Sequence, residues 1–152
     1  MTAVRRGGPF HNHIAIDREH GLIRRFTVTH AAAHDGAQLE RLLARNTGSG
    51  VWADTAYRSK ANVALLDRRG RVAQFQRAKP RGRPMPPHIA RGNATRARVR
   101  AKVEHVFAEQ KRRFGLVIRS VGMARATTKL TLANLVYNLR RLAWIETGTA
   151  PA

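Results

Sequence analysis

The chain has 152 residues, room for one domain with a real hydrophobic core and little more. It carries 29 Lys and Arg against 9 Asp and Glu, a net charge of +20, and has no Cys. That charge costs self-repulsion in a folded chain and points to a polyanionic partner, while the lack of thiols excludes disulfides and thiolate zinc sites.

The opening MTAVRRGGPFHNH lacks the apolar core of a secretory leader, and no apolar run approaches the roughly 18 residues of a membrane span. A cytoplasmic chain, associated with the nucleoid when bound to DNA and with no membrane partner, is expected. Residues 13–17 (HIAID) and 22–30 (LIRRFTVTH) are rich in β-branched and aromatic side chains, and REHG joins them, so they read as an antiparallel hairpin. Residues 34–46 change to helical spacing, with Leu39, Leu42 and Leu43 on one face and Asp35 as the expected N-cap. VWADTAY (51–57) reads as a short buried strand ending in an acid. Residues 59–70 then predict a helix stopped at Gly70, and RVAQFQ another strand.

Prolines 80, 84, 86 and 87 predict a basic loop over about 77–94. Helices are expected over about 95–113, ending at Gly115, and over 125–146, the second amphipathic. This order of elements implies a mixed α/β sheet with long C-terminal helices.

With so few acids, each can be weighed singly. Glu19, Glu40, Asp67 and Glu146 lie beside Arg or Lys in a loop or near helix ends, where solvated ion pairing explains them, and Asp17 closes its strand beside Arg18. Asp54 stands at the carboxyl end of a strand that looks buried. A charge there must be paired, hold a metal, or cap the turn through Thr55 to Tyr57.

Glu104 lies among cations in RVRAKVEHVFAEQKRRFGL (98–116). At about 100° per residue, Arg100, Glu104 and Lys111 fall near 0°, 40° and 20°, beside the apolar seam of Val103, Phe107 and Phe114. An i,i+4 pair with Arg100 explains Glu104 but leaves Lys111 aside, whereas a metal-holding carboxylate between two phosphate-binding cations accounts for all three. Glu109 points to the opposite side, one turn before Arg113.

Among the histidines, His11 and His13 alternate onto one strand face, and His30 and His34 are four apart. Either pair suits a transition metal, but no further His or Asp partner is evident on a helix, so no histidine metal site is expected.

Four blocks, HNHIAIDREHGLIRRFTVTHAAAHDGAQLERLL, VWADTAYRS, RARVRAKVEHVFAEQKRRFGL and LTLANLVYNLRRL, resemble successive signature segments of bacterial insertion-sequence transposases of the DDE type. They cover nearly the whole chain in order. The spacing R-x3-E-x6-K at Arg100, Glu104 and Lys111 matches the family's signature around its last acid. The resemblance implies a ribonuclease H-like α/β fold, with three carboxylates holding two Mg2+ ions for cleavage of DNA at transposon ends and strand transfer into a target. Asp54 matches the second Asp and Glu104 the Glu, as catalytic and metal-holding residues. Arg100, Lys111, Arg96 and Arg112 are the expected DNA contacts.

Two departures stand out. The family's aromatic residue three positions before the Arg is here Ala97, and the strand expected to carry the first Asp would precede HIAID, where MTAVRRGGPF holds no acid. The resemblance therefore implies a partial catalytic domain over 1–152, lacking the first strand and its Asp. Such a chain is expected to be the C-terminal part of a transposase and weak or inactive alone, working as a homo-oligomer or with an upstream half. The competing expectation is a non-enzymatic basic DNA-binding remnant that interferes with the full-length enzyme.

Overall fold

The β-branched residues near the start of the chain form a meander. The computed structural model describes residues 2–7 (backbone only), 9–44, 48–116 and 122–148. Strands β1 (Thr2–Gly7), β2 (Phe10–Ile16) and β3 (Ile23–His30) make an antiparallel sheet in the order β1-β2-β3. Val4 faces His13 on β2, and His13 faces Thr27 on β3. The expected hairpin is present, and Asp17 shapes its turn. Its carboxylate accepts hydrogen bonds from the backbone N–H groups of His20, Gly21 and Leu22. Gly21 takes φ +72°, a left-handed conformation that suits glycine.

The expectation that a strand is missing ahead of β2 is corrected, because β1 lies there. An edge strand needs only backbone pairing on one side and tolerates charged residues such as Arg5 and Arg6. It still contains no acid.

Two further strands, β4 (Gly50–Ala53) and β5 (Val72–Phe75), pair in parallel. A parallel pair needs a crossover, which helix α2 (Lys60–Arg68) supplies. Ser59 caps α2 by accepting from the Asn62 N–H at 3.1 Å, and the helix ends just before Gly70, as expected.

The segment between the sheets differs from the expected helix. It is a 3-10 turn at Asp35–Gln38 followed by one α-helical turn, α1 (Leu39–Leu42). The cap is His34, whose Nδ1 accepts from the Gly36 N–H at 3.2 Å, and not Asp35, which is buried. The cause is a close approach: a Cβ on Gly36 would lie 2.9 Å from the Ala56 carbonyl oxygen. This turn is therefore pressed against a second 3-10 turn, Thr55–Tyr57, and Asp35 is carried inward. Arg45 and Asn46, the end of the expected helix, lie outside the described residues.

Helix α3 spans Pro87–Phe114 and α4 spans Met123–Thr147. The loop expected up to residue 94 is thus corrected, since α3 begins at Pro87. All four prolines of that stretch lie at or before its first turn, where a missing N–H costs nothing. Gly92 is the sole glycine inside the helix, and its cost of about 1 kcal/mol is small for so long a helix.

Strand β2 is buried along its whole length and separates two sets of core contacts. Ile14 and Ile16 pack with Ile23, Val103, Val106, Phe107 and Tyr137, towards α3 and α4. On its other face, Ala15 joins Leu39, Leu42, Val51, Tyr57, Leu66 and Phe75. Polar groups take part in the first set. Asn134 Oδ1 accepts from Gln110 Nε2 at 2.8 Å and from Asn12 Nδ2 at 3.3 Å, joining α4, α3 and β2 inside the core. One and two turns further along α4, Tyr137 donates to the Gly21 carbonyl, Asn138 bonds both backbone groups of Ile23, and Arg141 donates to the His20 carbonyl. The expected amphipathic helix thus docks by Ala126, Leu130 and Ala133, packed with Phe10 and Leu116, in its first half and by this polar stripe further on, while Leu132, Leu135, Leu139 and Leu142 remain exposed.

Candidate active site

Asp54 immediately follows β4, and both readings of it taken from the sequence have a counterpart in the geometry. Its Oδ1 accepts from the Ala56 N–H at 2.8 Å, capping the turn Thr55–Tyr57. Its Oδ2 lies 3.8 Å from Nη1 of Arg100 on α3. The same Nη1 lies 3.0 Å from Glu104 Oε1 one helical turn on. One guanidinium therefore joins the strand-end acid to the helix acid. Asp54 and Arg100 are about three-quarters buried, whereas the Glu104 side chain is 53% exposed. Arg100 Nε is buried without a hydrogen-bond partner among the described residues.

The other expected DNA contacts are spread along α3. Arg96 Nε donates to Gln74 Oε1 on β5 at 3.4 Å, so the first half of α3 crosses the ends of β4 and β5. Lys111 is exposed, two turns beyond Glu104 on the same stripe. Arg112 is also exposed but lies about 100° further round the helix than Lys111. It borders a groove between α3 and α4 with Arg113, Arg140, Arg141 and Trp144. Glu109 serves this groove: it pairs with Arg113 at 3.8 Å, as its spacing predicts, and with Arg140 at 3.5 Å.

The histidines depart from expectation. His11, His13 and Asp35 converge, with one donor atom from each lying within 4.8 Å of the others. The sequence pairs His11 with His13 but suggests a helix cap for Asp35, so the third partner escapes it. The signal is the adjacent His34 and Asp35, where the histidine takes the capping role and frees the acid to turn inward. His30 packs against Phe10 in a tilted arrangement with ring centroids 5.3 Å apart, and His34 caps its turn, so those two make no common site.

Two Mg2+ ions need a dense set of oxygen ligands. Among the described residues, no third His, Asp or Glu joins Asp54 and Glu104 in one group. With Arg100 set between them, these two carboxylates do not fit a two-ion arrangement.

A strand-end acid and a helix acid thus meet at one guanidinium on a cationic helix. The transposase DDE domain matches residues 4–139. The chain belongs to the DDE transposase family. Comparisons with curated proteins and with solved structures give no significant match. Among the described residues, no helix is long and apolar enough to cross a membrane.

Proposed function

We propose that the chain acts in DNA transposition through a ribonuclease H-like domain that binds transposon ends and target DNA. The observation that carries this reading is the convergence of Asp54 and Glu104 on Arg100, from a strand end and a helix 50 residues apart in sequence. The order of elements, an antiparallel β1-β2-β3 meander and then the parallel β4-α2-β5 unit, supports the fold assignment, although the described strands form two sheets where the sequence reading expects one mixed sheet.

In this reading Asp54 and Glu104 are the catalytic carboxylates and would be ligands to Mg2+ in a complete site. Arg96, Arg100, Lys111 and Arg112 contact DNA phosphates, with Arg as a bidentate fork and Lys as a point charge. Because residues 1–152 bring two carboxylates and a compensating guanidinium to this place, they are weak or inactive in cleavage by themselves. A partner chain or a second copy has to supply the remaining acid.

The test uses DNA carrying the repeats that flank the chain's own coding region. With Mg2+ present, residues 1–152 should bind this DNA without nicking it. Nicking that disappears in Asp54→Asn and in Glu104→Gln would show that the acids present suffice and would overturn the incomplete-site reading.

A second reading, a non-enzymatic DNA-binding chain that interferes with complete transposase, is favoured by the neutralising position of Arg100. Between Arg77 and Arg125 there are 14 Lys and Arg and only 2 acids. Under this reading DNA affinity is indifferent to Mg2+. A Mg2+-dependent gain in affinity that Glu104→Gln abolishes counts for the first reading and against the second.

A further inference from the structure

We propose that His11, His13 and Asp35 bind a divalent transition-metal ion of the zinc class, separate from the carboxylates Asp54 and Glu104. Their donor atoms lie within 4.8 Å of one another, and all three residues are buried. His11 and His13 share a face of β2 because side chains two apart on a strand point the same way. Asp35 reaches them from the 3-10 turn, which the Gly36–Ala56 approach holds in place.

The donor set selects the ion. Two imidazoles and one carboxylate suit Zn2+, Co2+ or Fe2+, whereas Mg2+ and Ca2+ favour oxygen ligands throughout. Zinc bonds of about 2.0–2.2 Å in tetrahedral geometry place donors about 3.3 Å apart. His11 Nδ1 and Asp35 Oδ1 are already 3.7 Å apart, near that spacing, while the other separations lie within 4.8 Å and must shorten by up to about 1.5 Å to close on an ion.

Three details match a metal centre better than an ordinary core pair. His11 Nδ1 is buried and makes no hydrogen bond among the described residues, since 3.7 Å to Asp35 is too long. His13 Nε2 lies 2.8 Å from Thr29 Oγ1. If Nε2–H donates to that hydroxyl, Nδ1 carries the ring's lone pair, which faces the Tyr57 hydroxyl at 3.4 Å, so a metal ion would replace that long contact while Thr29 orients the ring. Finally, a cavity of about 460 Å³ lined by His11, Ala31, His34, Asp35 and Ala56 opens beside the cluster. It offers the ion an entry path and a water the fourth coordination position.

Such an ion would tie β2 to the turn before α1. It would lie beside the turn whose Ala56 N–H is held by Asp54. The role inferred is to hold the local frame, with no part in cleavage.

The experiment titrates Co2+ into the untagged, metal-stripped chain and follows visible d–d absorption, with thermal unfolding in parallel. One equivalent should give d–d bands of four-coordinate intensity, should raise the unfolding temperature, and should be displaced by Zn2+ but not by Mg2+. His11→Ala and Asp35→Asn should each abolish the bands while circular dichroism remains native. Thr29→Val should weaken binding by about 10- to 100-fold. Asp54→Asn and Glu104→Gln should leave the bands unchanged. Absence of bands in the unsubstituted chain, or their survival in a folded His11→Ala variant, overturns the proposal. If His11→Ala does not fold, the Thr29→Val titration decides: an unchanged affinity there also overturns it.

Discussion

Nη1 of Arg100 lies 3.8 Å from the Asp54 carboxylate while also holding Glu104 at 3.0 Å, so its charge is already shared by two acids. Lys111, on the same stripe of α3, has no ion-pair partner among the described residues and is exposed. The two cations should therefore contribute differently to DNA binding. Removing one cation that neutralises a phosphate lowers the slope of log affinity against log salt by about 1. Lys111→Ala should show that full effect, and Arg100→Gln a smaller one. In metal-free buffer, Glu104→Gln should tighten DNA binding by releasing Arg100. Fluorescence anisotropy over a series of salt concentrations checks all three, and equal slopes for the two cation variants would contradict the sharing.

Asn138 takes the place of a missing strand neighbour. Its Oδ1 accepts from the Ile23 N–H at 2.8 Å and its Nδ2 donates to the Ile23 carbonyl at 2.9 Å. Asn138→Ala strands both backbone groups beside the hairpin turn and should destabilise the fold by about 1–3 kcal/mol per group left unsatisfied. A urea midpoint lowered with an unchanged slope is the expected result.

Asn134 stands at the junction of Asn12 and Gln110. Asn134→Leu keeps the number and branching of side-chain heavy atoms but leaves two buried amides without their shared acceptor. It should cost about 2 kcal/mol or more. A stability loss below about 0.5 kcal/mol would mean that the three amides do not act as one network.

Burial pushes the Tyr137 phenol above its ordinary value of 10.0, with Glu109 and Asp17 adding to the shift and Arg141 opposing it. The raised folded value means that folding favours the protonated phenol. Its contribution to stability is complete below about pH 10 and is lost as pH rises towards the folded value. Tyr137→Phe should therefore flatten the decline in stability above pH 10, while lowering stability at pH 8 through removal of the bond to the Gly21 carbonyl. Denaturant midpoints across pH 8 to 11 for both chains test this, and parallel curves would exclude Tyr137 as a contributor.

Much of the secondary structure is legible in the sequence because it rests on local chemistry. The β2–β3 hairpin follows from two β-branched runs and a Gly-containing turn, α2 from a Ser cap and a Gly stop, and α4 from an uninterrupted helical pattern. Helix α3 begins eight residues before its expected start at 95, because prolines 86 and 87 look like loop signals, whereas at a helix start they are compatible with the first turn. Strand β1 escapes sequence reading because pairing to β2, and no pattern of its own, makes it extended.

The site divides in the same way. The stripe of Arg100, Glu104 and Lys111 is a consequence of helical spacing, and the acid after VWA follows from the end of a strand, so the sequence alone determined these residues and the family. It also determined the cationic balance that points to a polyanionic partner. Only the tertiary structure decided that Arg100 joins Asp54 to Glu104, that α4 docks through Asn134, Tyr137, Asn138 and Arg141, and that Asp35 turns in towards His11 and His13. Each of these depends on which side chains, backbone groups and turns the fold brings together in space. Such demands come from segments distant in sequence, and local periodicity carries no trace of them.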